Sequence, residues 1–166
     1  MLARAVGAVL IAFVAACSAG PEPTPTNPPT QSPGVTGSQT TGVAGVLEAL
    51  GGAGAGVREA DTFMADPLAS QGVLVCVDKE PISVYVFASP EDALARSRLI
   101  DPRDPSHVGT AIIEWVGEPK FWLHDRLIVL YQGTDAEVEQ RLVDVLGQPF
   151  AFGQGRGFLP GAPDPC

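Results

Sequence analysis

Basic charge is scarce in this chain. Ten Lys+Arg face nineteen Asp+Glu across 166 residues, a formal net charge of −9, and only Lys79 and Lys120 are lysines. A domain this acidic repels phosphate backbones, which argues against nucleic acid as a partner and against docking on anionic lipid by charge alone. Long apolar runs are missing too. The run Ala5 to Ala16 is about twelve residues, whereas a spanning helix needs roughly twenty to cross about 30 Å of hydrocarbon. Ser18, Gly20 and Pro21 end it, so a transmembrane anchor is not expected there.

Metal-ligand and catalytic signatures are equally sparse. Neither His107 nor His124 has a Cys, His or Glu at metal-ligand spacing. There is no Asp-x-Asp-x-Asp-Gly run, no Gly-x-Ser-x-Gly elbow and no Ser-x-x-Lys. Gly52-Ala53-Gly54-Ala55-Gly56 is glycine-rich, but a helix precedes it and a strand-like run follows. A phosphate loop needs the reverse order, so that phosphate meets a helix N-terminus. No metal, no cofactor and no catalytic residue is expected from these patterns. Glu114 and Glu118 read as residues flanking a strand end rather than as a working carboxylate pair.

What is present begins at the N-terminus. Met1 to Ala16 has the layout of a secretory signal, with Arg4 in a short positive region ahead of the apolar run. Val14-Ala15-Ala16-Cys17 then resembles the lipobox of bacterial lipoproteins, an aliphatic residue, two small residues and Cys. The family most often has Leu in the first position, so Val14 is a departure, and an ordinary cleaved signal that happens to hold a Cys is the plainer reading. The resemblance implies removal of residues 1–16 and a diacylglyceryl thioether on Cys17. It also implies attachment to the outer face of the bacterial cell membrane, or to the outer membrane where one exists. Two acyl chains anchor stably where one binds only marginally. Removing Met1 to Ala16 takes away Arg4 and leaves nine basic against nineteen acidic residues, a net charge of −10.

Residues 17–42 read as the lipidated Cys plus a disordered tether. Ser18 to Gly42 is Pro/Thr-rich, then Gly/Ser/Thr/Gln-rich, with almost nothing to bury. Extended it would reach roughly 75 Å, and as a coil about 30 Å. Its threonines are candidate glycosylation points, with a plain spacer as the simpler account.

With Cys17 lipidated, Cys76 and Cys166 are the two thiols left. Exported proteins fold where disulfides persist, and a bridge would close about ninety residues, worth about 4–5 kcal/mol in the chain-entropy picture. The other reading makes Cys76 a small buried hydrophobe and Cys166 a free tail thiol.

Residues 43–153 are long enough for one core, with 154–166 as a Gly/Pro-rich tail. Val43, Val46, Leu47 and Leu50 mark one helix face, ended by Gly51 and Gly52. Ala55 to Ala60 reads as a short strand, followed by an irregular link carrying Phe63, Met64 and Leu68. Gly72 to Asp78 is a strand, with Lys79-Glu80-Pro81 as its turn. Ile82 to Phe87 alternates, Ile82, Val84 and Val86 against Ser83, Tyr85 and Phe87. Ser89-Pro90-Glu91-Asp92 starts a helix running to about Ile100.

Thr110 to Val116 reads as another strand. Lys120–Leu123 and Arg126–Tyr131 read as a hairpin around His124-Asp125, and Leu127 to Leu130, apolar on both faces, as a central strand. Thr134 to Glu137 is a capping-box pattern opening a helix with Val138, Leu142, Val145 and Leu146 on its inner face. Gly147 and Pro149 stop it, and Phe150 and Phe152 should pack back on the core. Ile82–Ile100 and Leu127–Leu146 echo one another as strand, turn and capped helix.

The expectation is an α+β fold, a mainly antiparallel sheet of about five to six strands with three helices packed mostly on one face. The pattern over Val43 to Phe152 resembles small lipid-anchored or secreted bacterial domains. That resemblance has no diagnostic motif and implies no activity.

Trp122, Trp115 and Tyr85 are the candidate binding surface. Exposed on the sheet, they would make an aromatic platform for a protein or envelope ligand; buried, they are core. The expected function is a membrane-anchored extracytoplasmic lipoprotein with a non-catalytic binding domain of unknown ligand. The rival is a small cell-envelope hydrolase whose site forms only by tertiary convergence, joining His107 or His124 to acidic side chains.

Overall fold

A computed structural model describes residues 42–65, 67–155 and 165–166. Cys17, residues 1–16, the tether up to Thr41 and most of the 154–166 tail lie outside the described residues. Among those described, no helix is long and apolar enough to cross a membrane.

The elements in chain order are α1 (Val43–Gly52), β1 (Val57–Ala65), β2 (Ser70–Val77), β3 (Glu80–Val86), α2 (Pro90–Ser97), β4 (His107–Val108), β5 (Ala111–Ile112), β6 (Lys120–His124), β7 (Leu127–Tyr131), α3 (Ala136–Leu146) and β8 (Ala151–Phe152). Six strands form one antiparallel sheet in the order β1-β2-β3-β7-β6-β8, and β4 and β5 form a separate small hairpin. The fold is α+β, as the sequence pattern predicts.

Both faces of the sheet are covered. On the first, Val75, Val77, Ile82, Val84, Trp122, Leu127, Val129 and Tyr131 meet Val46 and Leu50 of α1 and Val138 and Leu142 of α3. On the second, Tyr85, Phe87, Phe121, Ile128 and Leu130 meet Ala93 of α2 and Ile100, Val108 and Trp115 from the connection between α2 and β6. Every residue of β7 is buried, which is why its apolar run has no alternation. The echo between the two strand–turn–helix units has a limit here. A two-fold axis normal to the sheet would place both helices on one face, whereas α2 and α3 lie on opposite faces.

β1 is longer than its sequence suggests, and Phe63 and Met64 belong to it rather than to a link. The reason is a bulge. Glu59 pairs with Val75 and Asp61 with Leu74, so Ala60 is an extra residue. The extra residue reverses the side-chain phase, so Val57 packs on the first core and Phe63 on the second. Phe63 lies edge-on to Tyr85 at 5.4 Å, over Gly72, where a Cβ would stand 2.3 Å from the ring.

The turns also shift. The β2–β3 turn is Asp78-Lys79, both at positive φ, a two-residue type I′-like hairpin. Glu80 and Pro81 are already strand, opposite Val77 and Cys76. Asp125 at φ 51° and Arg126 close β6–β7. Thr110 to Val116 is strand only at Ala111–Ile112, paired with His107–Val108 outside the main sheet.

Ser89 caps α2, accepting from Asp92 N at 3.2 Å, and the helix ends at Ser97 rather than Ile100. The α3 cap is Asp135, not Thr134: its Oδ1 accepts from Glu137 N at 2.8 Å and Val138 N at 3.1 Å. Phe150 packs near Phe121 at 6.2 Å, but Phe152 on the edge strand β8 is 66% exposed.

Candidate functional site

The aromatic platform does not form. Trp122 is fully buried, and Trp115 and Tyr85 are buried at 8% and 4% exposure. Trp122 and Tyr85 lie on covered faces of the sheet and Trp115 on the connection that packs over the second face, so each ring is core and its polar atom needs an internal partner. Trp122 Nε1 donates to Gly147 O at the C-terminal end of α3, 2.8 Å. Trp115 Nε1 donates to Pro105 O, 2.8 Å, and its ring lies 5.5 Å from Phe121. Burial pushes the Tyr85 phenol up to about 12.

The two histidines sit on different strands, His107 on β4 and His124 on β6. His107 sits on β4 in an exposed loop, its Nδ1 2.9 Å from Asp104 Oδ2 and 3.5 Å from Ser106 Oγ. Ser106 Oγ also donates to Asp104 Oδ1. The three residue types are those of a hydrolytic triad, but the wiring is different. A triad uses one ring nitrogen for the acid and the other for the hydroxyl, whereas here both partners gather on Nδ1 and the hydroxyl proton goes to the carboxylate. The arrangement is a local loop clasp. The Ser106 hydroxyl bond, helped by the Ser106 N–H and the neighbouring imidazole, holds the Asp104 carboxyl below the usual carboxylate range. His124 ends β6 at the far hairpin.

A polar cleft of about 430 Å³ opens at the end of the sheet where β7 hands over to α3. Glu80, Glu118 and Asp135 place carboxylates on it, with Gln132 and Thr134 between them. Its remaining wall is formed by Gly117, Gly133 and Gly155, which have no room for a Cβ: main chain approaches closely at Gly117 and Gly155, and the Tyr131 side chain does so at Gly133. A Cβ on Gly117 would stand 1.7 Å from Gln132 O, one on Gly155 1.8 Å from Gly117 O, and one on Gly133 2.3 Å from the Tyr131 hydroxyl.

Lys120 stands beside the cleft. Its Nζ donates to Gly133 O at 3.1 Å and pairs with Glu139 at 3.2 Å and Glu118 at 3.7 Å, over the Tyr131 ring at 5.6 Å. It is a buried residue, so these partners offset the loss of water around its charge. Tyr131 ties the cleft to the core. Its hydroxyl donates to Glu80 Oε2 at 3.2 Å and accepts from Asp135 N at 3.0 Å. Burial, with the Glu80 carboxylate also acting, raises its pKa well above the ordinary phenol value, against the Asp135 N–H bond. Lys120 is thus internally neutralised, and the other carboxylates leave the cleft net acidic.

Cys76 and Cys166 are bridged, with Cα atoms 5.6 Å apart. Arg58, the cross-strand partner of Cys76, donates Nη2 to Cys166 O at 2.6 Å and to Pro165 O at 3.4 Å. Among the described residues, no three His, Cys, Asp or Glu side chains converge to hold a metal ion.

Sequence reading missed the cleft. Glu118 reads in the sequence as flanking a strand end and Asp135 as an inner position of the capping-box pattern, while Gln132, Gly133 and Gly155 carry no pattern. The one available signal was glycine recurring beside acidic residues at both ends of β6–β7.

Fold and site together define an α+β domain with an acid-lined, backbone-walled cleft at one end of a covered sheet. No protein-family model, curated protein or solved structure matches the chain.

Proposed function

We propose that this is a lipid-anchored extracytoplasmic protein of the bacterial envelope, tethered through Cys17 and carrying a non-catalytic binding domain that engages its ligand at the acidic cleft. The observation that carries the reading is the Cys76–Cys166 bridge, in a chain whose only other cysteine follows a lipobox-like string. Structural disulfides belong to oxidising compartments, so the bridge and the signal point to the same side of the membrane. The cleft supplies the binding half. It is roomy enough for a small ligand or a side chain of a partner, and its charge favours basic groups over anions.

Metabolic labelling with a fatty-acid analogue, followed by membrane fractionation, tests the anchor. The wild-type chain takes label and sediments with membranes, and Cys17→Ala does neither. A Cys17→Ala chain that still sediments labelled would sink the anchoring reading. Crosslinking in the host tests the binding half. Capture that weakens with Glu80→Gln plus Glu118→Gln supports the cleft, and capture indifferent to both removes it.

A further inference from the structure

The clasp at Asp104 closes on a peptide bond that its own groups can attack. Asp104-Pro105-Ser106-His107 is a β-turn with Pro in its second position, and His107 N–H donates to Asp104 O at 2.9 Å. That carbonyl belongs to the Asp104–Pro105 bond, whose nitrogen is a tertiary amide and takes a proton readily as it leaves. The carboxylate of the same residue is within ring-closing reach of the carbonyl carbon. Its Oδ2 lies 2.9 Å from His107 Nδ1, and its Oδ1 accepts from Ser106 N at 3.3 Å and from Ser106 Oγ. Nucleophile, polarised carbonyl and proton donor thus meet at one bond. Pro105 is buried and its O is held by Trp115 Nε1 at 2.8 Å, while the His107 and Asp104 side chains are 51% and 54% exposed, open to water.

Asp101–Pro102, three residues earlier, is the contrast. Asp104 N donates to Asp101 O at 3.3 Å and Arg103 N to Asp101 Oδ1 at 2.9 Å, so the turn is similar, but the imidazole is bonded to the Asp104 carboxylate. The other charges around His107 are Arg98 and Asp101, which line a hollow with it, and Arg103 in the same loop; its partner on β5, Ile112, is uncharged.

We propose that the chain cleaves itself at Asp104–Pro105, giving two segments that the Cys76–Cys166 bridge keeps joined. The inference goes beyond the binding role proposed above and does not rest on it. Asp104 Oδ2 attacks its own main-chain carbon and closes a five-membered ring, an intramolecular attack with the high effective concentration of such reactions. The oxyanion forms on Asp104 O under the His107 N–H. The imidazolium passes the Nδ1 proton to Pro105 N, the C–N bond breaks with its electron pair going to nitrogen, and a cyclic anhydride remains on Asp104. Water opens the anhydride to two carboxylates, and the two protons released go to the imidazole and to the Pro105 amine. One water is consumed and nothing is oxidised or reduced. The Ser106 hydroxyl bond holds the Asp104 carboxyl below its usual range, so the nucleophile is ionised over the mildly acidic range in which imidazoles carry a proton.

Mass spectrometry of the purified full chain in detergent micelles, incubated for days and read before and after reduction, tests this. At about pH 5.5 the unreduced chain is expected to gain one water and stay one species, and reduction to release one segment ending at Asp104 and one beginning at Pro105; at about pH 8 the rate should fall at least ~10-fold. Asp104→Asn should stop the reaction, and His107→Gln should slow it about 100-fold and flatten its pH profile. In concentrated urea the preference for Asp104–Pro105 over Asp101–Pro102 should disappear, because the turn and the imidazole contact are lost. A chain that stays whole at the acidic pH would overturn the proposal. Equal cleavage at both Asp–Pro bonds of the folded chain would overturn it too, as would His107→Gln cleaving like the wild type, because the bond would then be acid-labile without help from its neighbours.

Discussion

Asp78 occupies the first position of the β2–β3 turn at φ 50°, and its carboxylate links that turn to two other segments. One oxygen accepts from Gly56 N at 2.8 Å and the other is paired with Arg141 of α3. Asp and Asn tolerate the left-handed region better than other side chains. Asp78→Ala should therefore cost about 1–3 kcal/mol, whereas Asp78→Asn, which keeps the turn and an acceptor for Gly56, should cost under about 1 kcal/mol. Urea denaturation midpoints of the two variants give the comparison; equal losses would mean that neither the turn nor the Gly56 bond matters.

Glycines divide by what surrounds them. Gly117→Ala forces a Cβ against the Gln132 carbonyl, main-chain atoms that cannot swing away, and should lose at least about 2 kcal/mol. Gly52 in the last turn of α1 has open space around it, so Gly52→Ala should be neutral or gain up to about 1 kcal/mol. Thermal unfolding of the pair reads both at once.

At the scale of elements, the cap of α3 is the sharpest case. Asp135→Ala strands the N–H groups of Glu137 and Val138 and should cost about 1–2 kcal/mol, while Thr134→Ala should stay within about 0.5 kcal/mol. Ser89→Ala at α2, with a single N–H at stake, should cost about 1 kcal/mol. The reverse order at Thr134 and Asp135 in a denaturation series would restore the capping-box register that the sequence suggests.

That one-residue offset shows where sequence reading ends. β7 was legible because burial on both faces leaves an unbroken apolar run, and α1 and α3 because their buried residues recur at helical spacing. β1 was not. Its bulge reverses the phase midway, so neither alternation nor helical period survives over nine residues. Thr110–Val116 alternates like a strand but has no partner in the main sheet, and pairing is a tertiary fact that periodicity does not carry. The cleft was illegible for the same reason. Gly117, Gly133 and Gly155 line one cleft only because the tertiary fold brings their segments together, and Trp122 looks the same in sequence whether or not a helix covers it.

At the scale of the whole molecule, the two tyrosines set the alkaline limit. The chain has no others, and both phenols are raised from 10 in the fold, Tyr85 to about 12. In the unfolded chain each loses its proton near pH 10. Between that pH and its folded pKa the native state holds more protons, so stability is full below pH 10 and falls as pH rises. Tyr85 alone accounts for a loss on the order of 2–3 kcal/mol by pH 12. Tyrosinate absorbance should therefore stay silent at pH 10 and rise together with loss of far-ultraviolet circular dichroism. A hyperchromic step near pH 10 in a protein still folded would show that the rings are wet.

Among the described residues, β1 ends the sheet on one side, with Arg58, Glu59 and Asp61, all exposed, around the bulge at Ala60. Free strand edges template pairing with other chains, and charge and bulges blunt them. Where copies meet at high local concentration, an unbroken edge would zip neighbour to neighbour into a ribbon. The kinked, charged β1 lets such a population crowd without polymerising.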